Sequence, residues 1–304
     1  MNNSKWMVCL DLSQMDEVLI GYSHFLSEAY KPSVITFLHV VQSGYVAREM
    51  VEAYPEVKSF EDLKAILRNE IEGRVSKVFD GTGVETRVDI AEGYPTDQII
   101  DRVRKQDPDL LFVGQKVGYD GEGIVPRRIV KYIPCSTLFV PETSRYQLER
   151  ALVGVDFSEA SAKAIDTACL WIGSADEVTA QHVYRYKAKF FPYAFSDKER
   201  KELVSEVERK RDEFLDQYDV PKGVRLELTL LKEGKIPRAI YDVAIREQAD
   251  LIVIGTKTKK LSRIIRQDVT DKMVDYAFGI PLLVQKDKSV QRTMLRRLFE
   301  EGSL

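Results

Sequence analysis

Trp6-Met7-Val8-Cys9-Leu10-Asp11-Leu12-Ser13 is a short apolar run closed by an acid and a hydroxyl, and Ala151-Leu152-Val153-Gly154-Val155-Asp156-Phe157-Ser158 has the same form 145 residues later. Each reads as a buried strand whose end opens into a polar turn and a helix. Downstream of each lies a second matched run, Val34 to Val40 and Val178 to Val183, ending in His39-Val40 and His182-Val183 at an offset of 143. Two of the chain's three histidines therefore hold equivalent places. A third pair follows. Glu92-Gly93 and Pro95 precede Ile99, Ile100 and Val103 at helical spacing, then Asp109 and the apolar run Leu110 to Val113 before Gly114. Glu233-Gly234, Pro237, Ile240, Val243, Ala244, Asp250 and Leu251 to Ile254 before Gly255 repeat it. In both copies 21 residues separate the two glycines.

The offset is 141 in this third pair and 145 again at the last strands, Ser136 to Val140 and Pro281 to Gln285. Two copies of one unit account for this, with small insertions on surface loops. Each copy reads β-α-β-α-β-α-β-α-β. The spacing predicts helices over 15–30, 58–79, 95–106 and 126–132 in the first copy, and over 159–172, 196–218, 236–248 and 269–277 in the second. Such alternation implies an α/β fold with a doubly wound parallel sheet covered on both faces. Leu110 to Val113 and Leu251 to Ile254 are apolar at consecutive positions, as central strands require. Val84 to Ile90 and Val224 to Leu230 alternate instead, as strands with one wetter face do. The domains are read as 1–145 and 146–286, with an amphipathic C-terminal helix over 287–304. That helix carries Val290, Met294, Leu295, Leu298 and Phe299 at helical spacing.

Composition narrows the function classes. The 304 residues suit about two domains. A hydrophobic share of 44% with 31% charged residues excludes a disordered chain and a membrane-spanning one. The 45 basic and 48 acidic residues leave a net charge of -3, so no overall field draws the chain to nucleic acid or an anionic membrane. Cys9, Cys135 and Cys169 are odd in number and widely spaced, which disfavours a disulfide framework or a zinc site and fits a cytoplasmic location. The apolar stretch before Asp11 is too short for a signal-peptide core.

As a set, the strand-end Asp with its hydroxyl, the His-Val of the second strand, the Gly-x-x-Pro ahead of the third helix and the apolar run ending in Gly114 or Gly255 resemble a tandem universal stress protein. The resemblance implies five strands per unit in the order 3-2-1-4-5. It also implies pairing of units through their last strands, here as an intramolecular pseudo-dimer with further homodimerisation open. In the nucleotide-binding branch of that family, G-x-x-G, nine residues and G-[ST] cradle phosphates, while the strand-one Asp and the second-strand backbone hold the nucleoside. Glycine permits close backbone approach, and a helix N-terminus supplies unpaired N–H groups.

Both copies depart from that pattern. The first has Val117 for the second glycine, a shorter loop before Gly123, and Ile124 for the hydroxyl; the second has Thr258, Asp268 and Val269 at the corresponding positions. In compensation, Lys257, Lys259, Lys260, Arg263 and Arg266 make the second loop cationic, although charge runs are usually a solvated face. The candidate nucleotide cleft is Asp156, Val183, Gly255, Thr256, Lys257 and Lys259 in the second copy, and Asp11, Val40 and Gly114 in the first. Asp11 and Asp156 are equally readable as polar caps, and Ser13 and Ser158 as N-caps. The absence of G-x-S-x-G weighs against a hydrolase, and no metal site is indicated.

Two functions follow. The first is a non-enzymatic stress-response module with degenerate nucleotide loops, needing no cofactor and acting through self-association and protein partners. The second is an ATP- or AMP-binding protein, or a weak ATPase, using the second cleft.

Overall fold

The protein is described by a computed structural model, which covers residues 4–42, 57, 59–115, 124–185, 197–256, 269–275 and 279–287. The chain divides after Tyr146 into two compact units.

The first unit runs β1 (Lys5–Leu10), α1 (Met15–Tyr30), β2 (Val34–Val41), α2 (Phe60–Phe79), β3 (Glu85–Glu92), α3 (Pro95–Gln106), β4 (Leu110–Gln115), α4 (Ile124–Tyr132) and β5 (Ser136–Pro141). Its strands are all parallel, in the order β3-β2-β1-β4-β5. The second unit runs β6 (Ala151–Gly154), α5 (Glu159–Ile172), β7 (Val178–Arg185), α6 (Asp197–Gln217), β8 (Arg225–Leu231), α7 (Ile236–Arg246), β9 (Leu251–Gly255), α8 (Val269–Asp275) and β10 (Leu282–Gln285). Its order, β8-β7-β6-β9-β10, is the same arrangement and also wholly parallel. Each of the eight helices expected within the two copies is present, with ends within two residues of the spacing-based limits.

The central strands are buried on both faces. Leu111, Phe112, Leu251, Ile252 and Val253 are fully enclosed, and burying a side chain of this size contributes about 1.5–3 kcal/mol. Helix α3 turns Thr96, Ile99, Ile100 and Val103 inward, and α7 does the same with Pro237, Ala239, Ile240, Val243 and Ala244. Both helices start behind a glycine, Gly93 at φ +138° and Gly234 at φ +92°. Only glycine takes such angles without strain, and the proline that follows is preset for a first helical turn.

The edge strand β8 departs from the expected alternation, since its residues after Arg225 are all half-buried. Its covering helix explains this. Helix α2 buries Leu63, Leu67, Ile71, Val75 and Phe79, whereas its counterpart α6 buries only Val207 and Phe214. Helix α2 packs firmly on β3, whereas the mostly polar α6 hardly touches β8 and leaves that side of the edge strand partly open to solvent.

The three cysteines are free thiols. Among the described residues no helix is long and apolar enough to cross a membrane. Residues 116–123 and 257–268, which hold most of both predicted loops, and 288–304 of the predicted C-terminal helix lie outside the described residues.

Candidate functional site

The carboxyl ends of the central strands bring the predicted residues of each copy to one level. In the second unit Gly154 pairs with Gln181 and with Ile254. Two residues further along the three strands stand Asp156, Val183 and Thr256. In the first unit Leu10 pairs with His39 and Val8 with Phe112, so Asp11 stands level with Val40 and just beyond Gly114. This is the edge at which open α/β sheets bind ligands. Lys257 and Lys259 lie outside the described residues.

A strained turn leads from each of these strands into the first helix. Leu12 and Phe157 occupy equivalent positions, and both have φ +61°, a left-handed conformation that non-glycine residues adopt at a cost of order 1 kcal/mol. Local hydrogen bonds hold the turns open in two chemically different ways. In the first unit the wholly buried Asp16 carboxylate accepts from the backbone N–H of Asp11 at 2.9 Å and of Leu12 at 3.1 Å. In the second, Ser161 stands where Asp16 does. Its hydroxyl accepts from Asp156 N–H and donates to the Asp156 carboxylate, both at 2.9 Å.

The strand-end acids are thus engaged by their own turns. Asp11 accepts from the amide and hydroxyl of Ser13, and Asp156 accepts from the hydroxyl of Ser158. Ser158 does hold the N-cap position of α5, yet its side chain caps no amide and its hydroxyl donates to the Asp156 carboxylate. For α1 the N-cap position falls on Gln14, while the Ser13 hydroxyl accepts from Met15 N–H at 3.2 Å.

Burial pushes the Asp16 carboxyl up to about 6, because desolvation outweighs the two amides and the Arg74 guanidinium 3.9 Å away, which pull the other way. Loss of solvent also lowers the pKa of both matched histidines, against the opposing pull of a backbone carbonyl and the neighbouring strand-end aspartate. His39 Nδ1–H donates to Leu10 O at 3.0 Å and His182 Nδ1–H to Val155 O at 2.8 Å. A carbonyl can only accept, so the proton is assigned to Nδ1. In each copy the imidazole thereby ties the second strand to the residue just before the strand-end acid. His182 is also stacked, with Phe157 at 4.2 Å and Tyr184 at 6.5 Å between ring centres.

The strand-end glycines have packing roles. A Cβ on Gly114 would come within 2.5 Å of Met15 Cγ, and one on Gly255 would run into the carbonyl of Ala160. Met15 and Ala160 are equivalent residues at the starts of α1 and α5. The glycines admit the first helix against the fourth strand, a use of glycine distinct from cradling phosphate. Thr256 is anchored to β10, its N–H donating to Gln285 O at 3.1 Å.

Several residues here escape sequence reasoning. Asp16 and Ser161 share the repeat offset, but the residue types differ and only the fold shows that both brace the turn. Leu12 and Phe157 carry no compositional signal for a left-handed turn. Gln181, 1% exposed, faces inward where the first copy has Leu38, and its amide donates to Thr229 at 2.9 Å and to Ala239 O at 3.3 Å.

The profile of the Universal stress protein family matches the sequence twice, over residues 3–141 and 147–284. Among solved structures, a universal stress protein from Archaeoglobus fulgidus DSM 4304 is similar, with 14% identity, a TM-score of 0.60, and coverage of 94% of this chain and 97% of that one. A functionally unknown protein from Pseudomonas aeruginosa PAO1 is similar at 13% identity and a TM-score of 0.61, covering 97% of each chain. At these identities the likeness concerns the fold. No curated protein sequence matches the chain.

Proposed function

Because this chain belongs to the universal stress protein family, with two copies of the family domain in tandem, we propose that it is a non-enzymatic stress-response module acting through protein contacts. The observation that carries this reading is the packing of Gly114 against Met15 and of Gly255 against Ala160. A phosphate-cradling glycine offers its open face to an anion, whereas these two give theirs to the first helix of their own unit. The loop sequences point the same way, with Val117 and Thr258 at the second glycine position and Asp268 at the third. An aspartate there repels a triphosphate. Calorimetry of the full chain with ATP tests the proposal: no heat of binding is expected, and micromolar or tighter affinity refutes it.

A second reading is favoured by one feature, the Phe157–His182–Tyr184 stack beside Asp156 in the second unit. Stacked rings at a strand end suit a purine, and Lys257 and Lys259 supply charge for its phosphates. Under that reading the protein binds ATP or AMP, and Lys257→Ala with Lys259→Ala weakens binding in a salt-dependent way. An affinity indifferent to both changes removes it.

A further inference from the structure

The first unit has a cleft of about 670 Å³ at the opposite edge of its sheet, where the strands begin. It lies among Lys5 at the start of β1, Val34 and Thr36 in β2, Arg87 in β3, and Lys105 and Gln106 at the end of α3. The volume is that of a small-molecule site.

The same place in the second unit is bridged by ion pairs. Strand register and repeat offset equate Lys5 with Arg150, Val34 with Glu177, Arg87 with Arg225, Asp89 with Glu227, Lys105 with Arg246, and Gln106 with Glu247. Arg150 pairs with Glu177 at 3.1 Å. Arg225 reaches across to Glu247 and donates to Thr179 at 2.8 Å, while Arg246 binds both Glu227 and Glu247. Three cations thus meet three carboxylates.

The first unit keeps all three cations and loses two of the carboxylates, Glu177 giving way to Val34 and Glu247 to Gln106. A neutral amide draws a guanidinium less strongly than a carboxylate does. Arg87 turns instead to Glu85 on its own strand, at 2.7 Å, and Gln106 donates to Asp89 at 2.9 Å. Asp89 is further neutralised by Arg102 at 2.9 Å, and Lys105 pairs outward with Asp101 at 2.8 Å. Lys5 makes no ion pair among the described residues. The cleft is lined by the cations Lys5, Arg87 and Lys105 and by the acids Glu85 and Asp89, which leaves one cation in excess, with Trp6, Val34, Val88 and Pro108 among its apolar walls.

We propose that this cleft binds a small organic anion, a carboxylate or a phosphate monoester, whose charge takes the place that Glu177 and Glu247 fill in the second unit. The anion pairs with Lys5 and exchanges with Glu85 for Arg87, its carbon skeleton against Val34 and its arrival sensed by the neighbouring Trp6. The site is independent of the strand-end cleft considered above, so nucleotide binding there neither supports nor removes it.

Trp6 is one of two tryptophans, so the full chain carrying Trp171→Phe reports on the cleft by fluorescence. Succinate, glycerol phosphate and sodium chloride are titrated at constant ionic strength. A saturable change with succinate or with glycerol phosphate, absent with chloride, is expected, and the more effective of the two identifies the anion class. Gln106→Glu supplies the missing carboxylate and should weaken binding at least tenfold, as should Lys5→Ala, with far-UV dichroism unchanged. If either variant fails to fold, Arg87→Ala, on an exposed edge, serves in its place. A response no different from chloride, or an affinity unchanged in the folded variants, overturns the proposal.

Discussion

Gly255 at the end of β9 lies directly against the backbone of Ala160 in α5. Its counterpart Gly114 faces a side chain instead, that of Met15. A methyl group on Gly255 must displace a helix backbone, whereas one on Gly114 need only turn a flexible thioether chain. Gly255→Ala should therefore destabilise the second unit by about 1–3 kcal/mol, the usual cost of overpacking, and Gly114→Ala should cost the first unit less. Urea denaturation of the two variants checks the ordering, and equal costs would show that the helices adjust freely.

His182→Phe preserves a ring against Phe157 but leaves Val155 O without the Nδ1–H that now reaches it at 2.8 Å. An unmade bond to a buried carbonyl costs about 1–3 kcal/mol, so a lowered melting temperature is expected despite the retained stack. In the parent protein, the C2 proton resonances of His39 and His182 should titrate below the ordinary value of 6.5, because burial disfavours their charged forms. The sign follows from linkage: the unfolded chain binds these protons more readily, so their contribution to stability is present above pH 6.5 and lost as pH falls below it.

Asp16 runs the other way. Its carboxyl, raised from 3.8 to about 6 by burial, holds its proton more tightly in the folded protein than in the unfolded chain. Stability from this group is therefore full below pH 3.8 and declines as pH rises through 6, by up to about 1.4 kcal/mol per pH unit in that window. Carbon-13 NMR of the side-chain carboxyls should show one aspartate titrating near 6, and Asp16→Asn should remove it. A normal titration for Asp16 would mean that water reaches the turn.

Glu247 is held below its ordinary range, first by Arg246 and then by Arg225. Glu247→Gln gives the second unit the residue of the first and should free Arg225, as Gln106 leaves Arg87 free to turn to Glu85. Exposed ion pairs contribute little, so a loss below about 1 kcal/mol is expected. It should appear at neutral pH and vanish as pH falls through the carboxylate range, where Glu247 is protonated in the parent as well. A loss that persists in acid would indicate packing and not charge.

Periodicity was enough to read the repeat and the strand–helix alternation because both follow from burial. A strand covered on two faces must be apolar at successive positions, as Leu251 to Ile254 are, and an amphipathic helix must place Ile99, Ile100 and Val103 on one stripe. Gly93 and Gly234 were legible for a similarly local reason, since a positive φ before a proline-started helix leaves few alternatives. The aspartates, histidines and strand-end glycines were legible as repeated positions, but their bonds were not. Whether Asp156 faces a ligand or its own Ser158 depends on where a hydroxyl two bonds from the backbone points. Whether Gly255 meets a phosphate or Ala160 depends on how closely a helix far away in sequence approaches.

The amino-acid order alone therefore determined two copies of one doubly wound α/β unit, with helix limits good to two residues and the strand ends as the matched polar sites. Only the tertiary structure decided that Asp16 and Ser161 brace the same strained turn by different chemistry, and that one sheet edge is bridged by ion pairs in one copy and open in the other. The physical reason is range. Secondary structure follows from hydrophobic spacing within a few residues, while the fate of Gln106 and Glu247 is set by charges contributed from separate strands and a helix, which only folding brings within reach of one another.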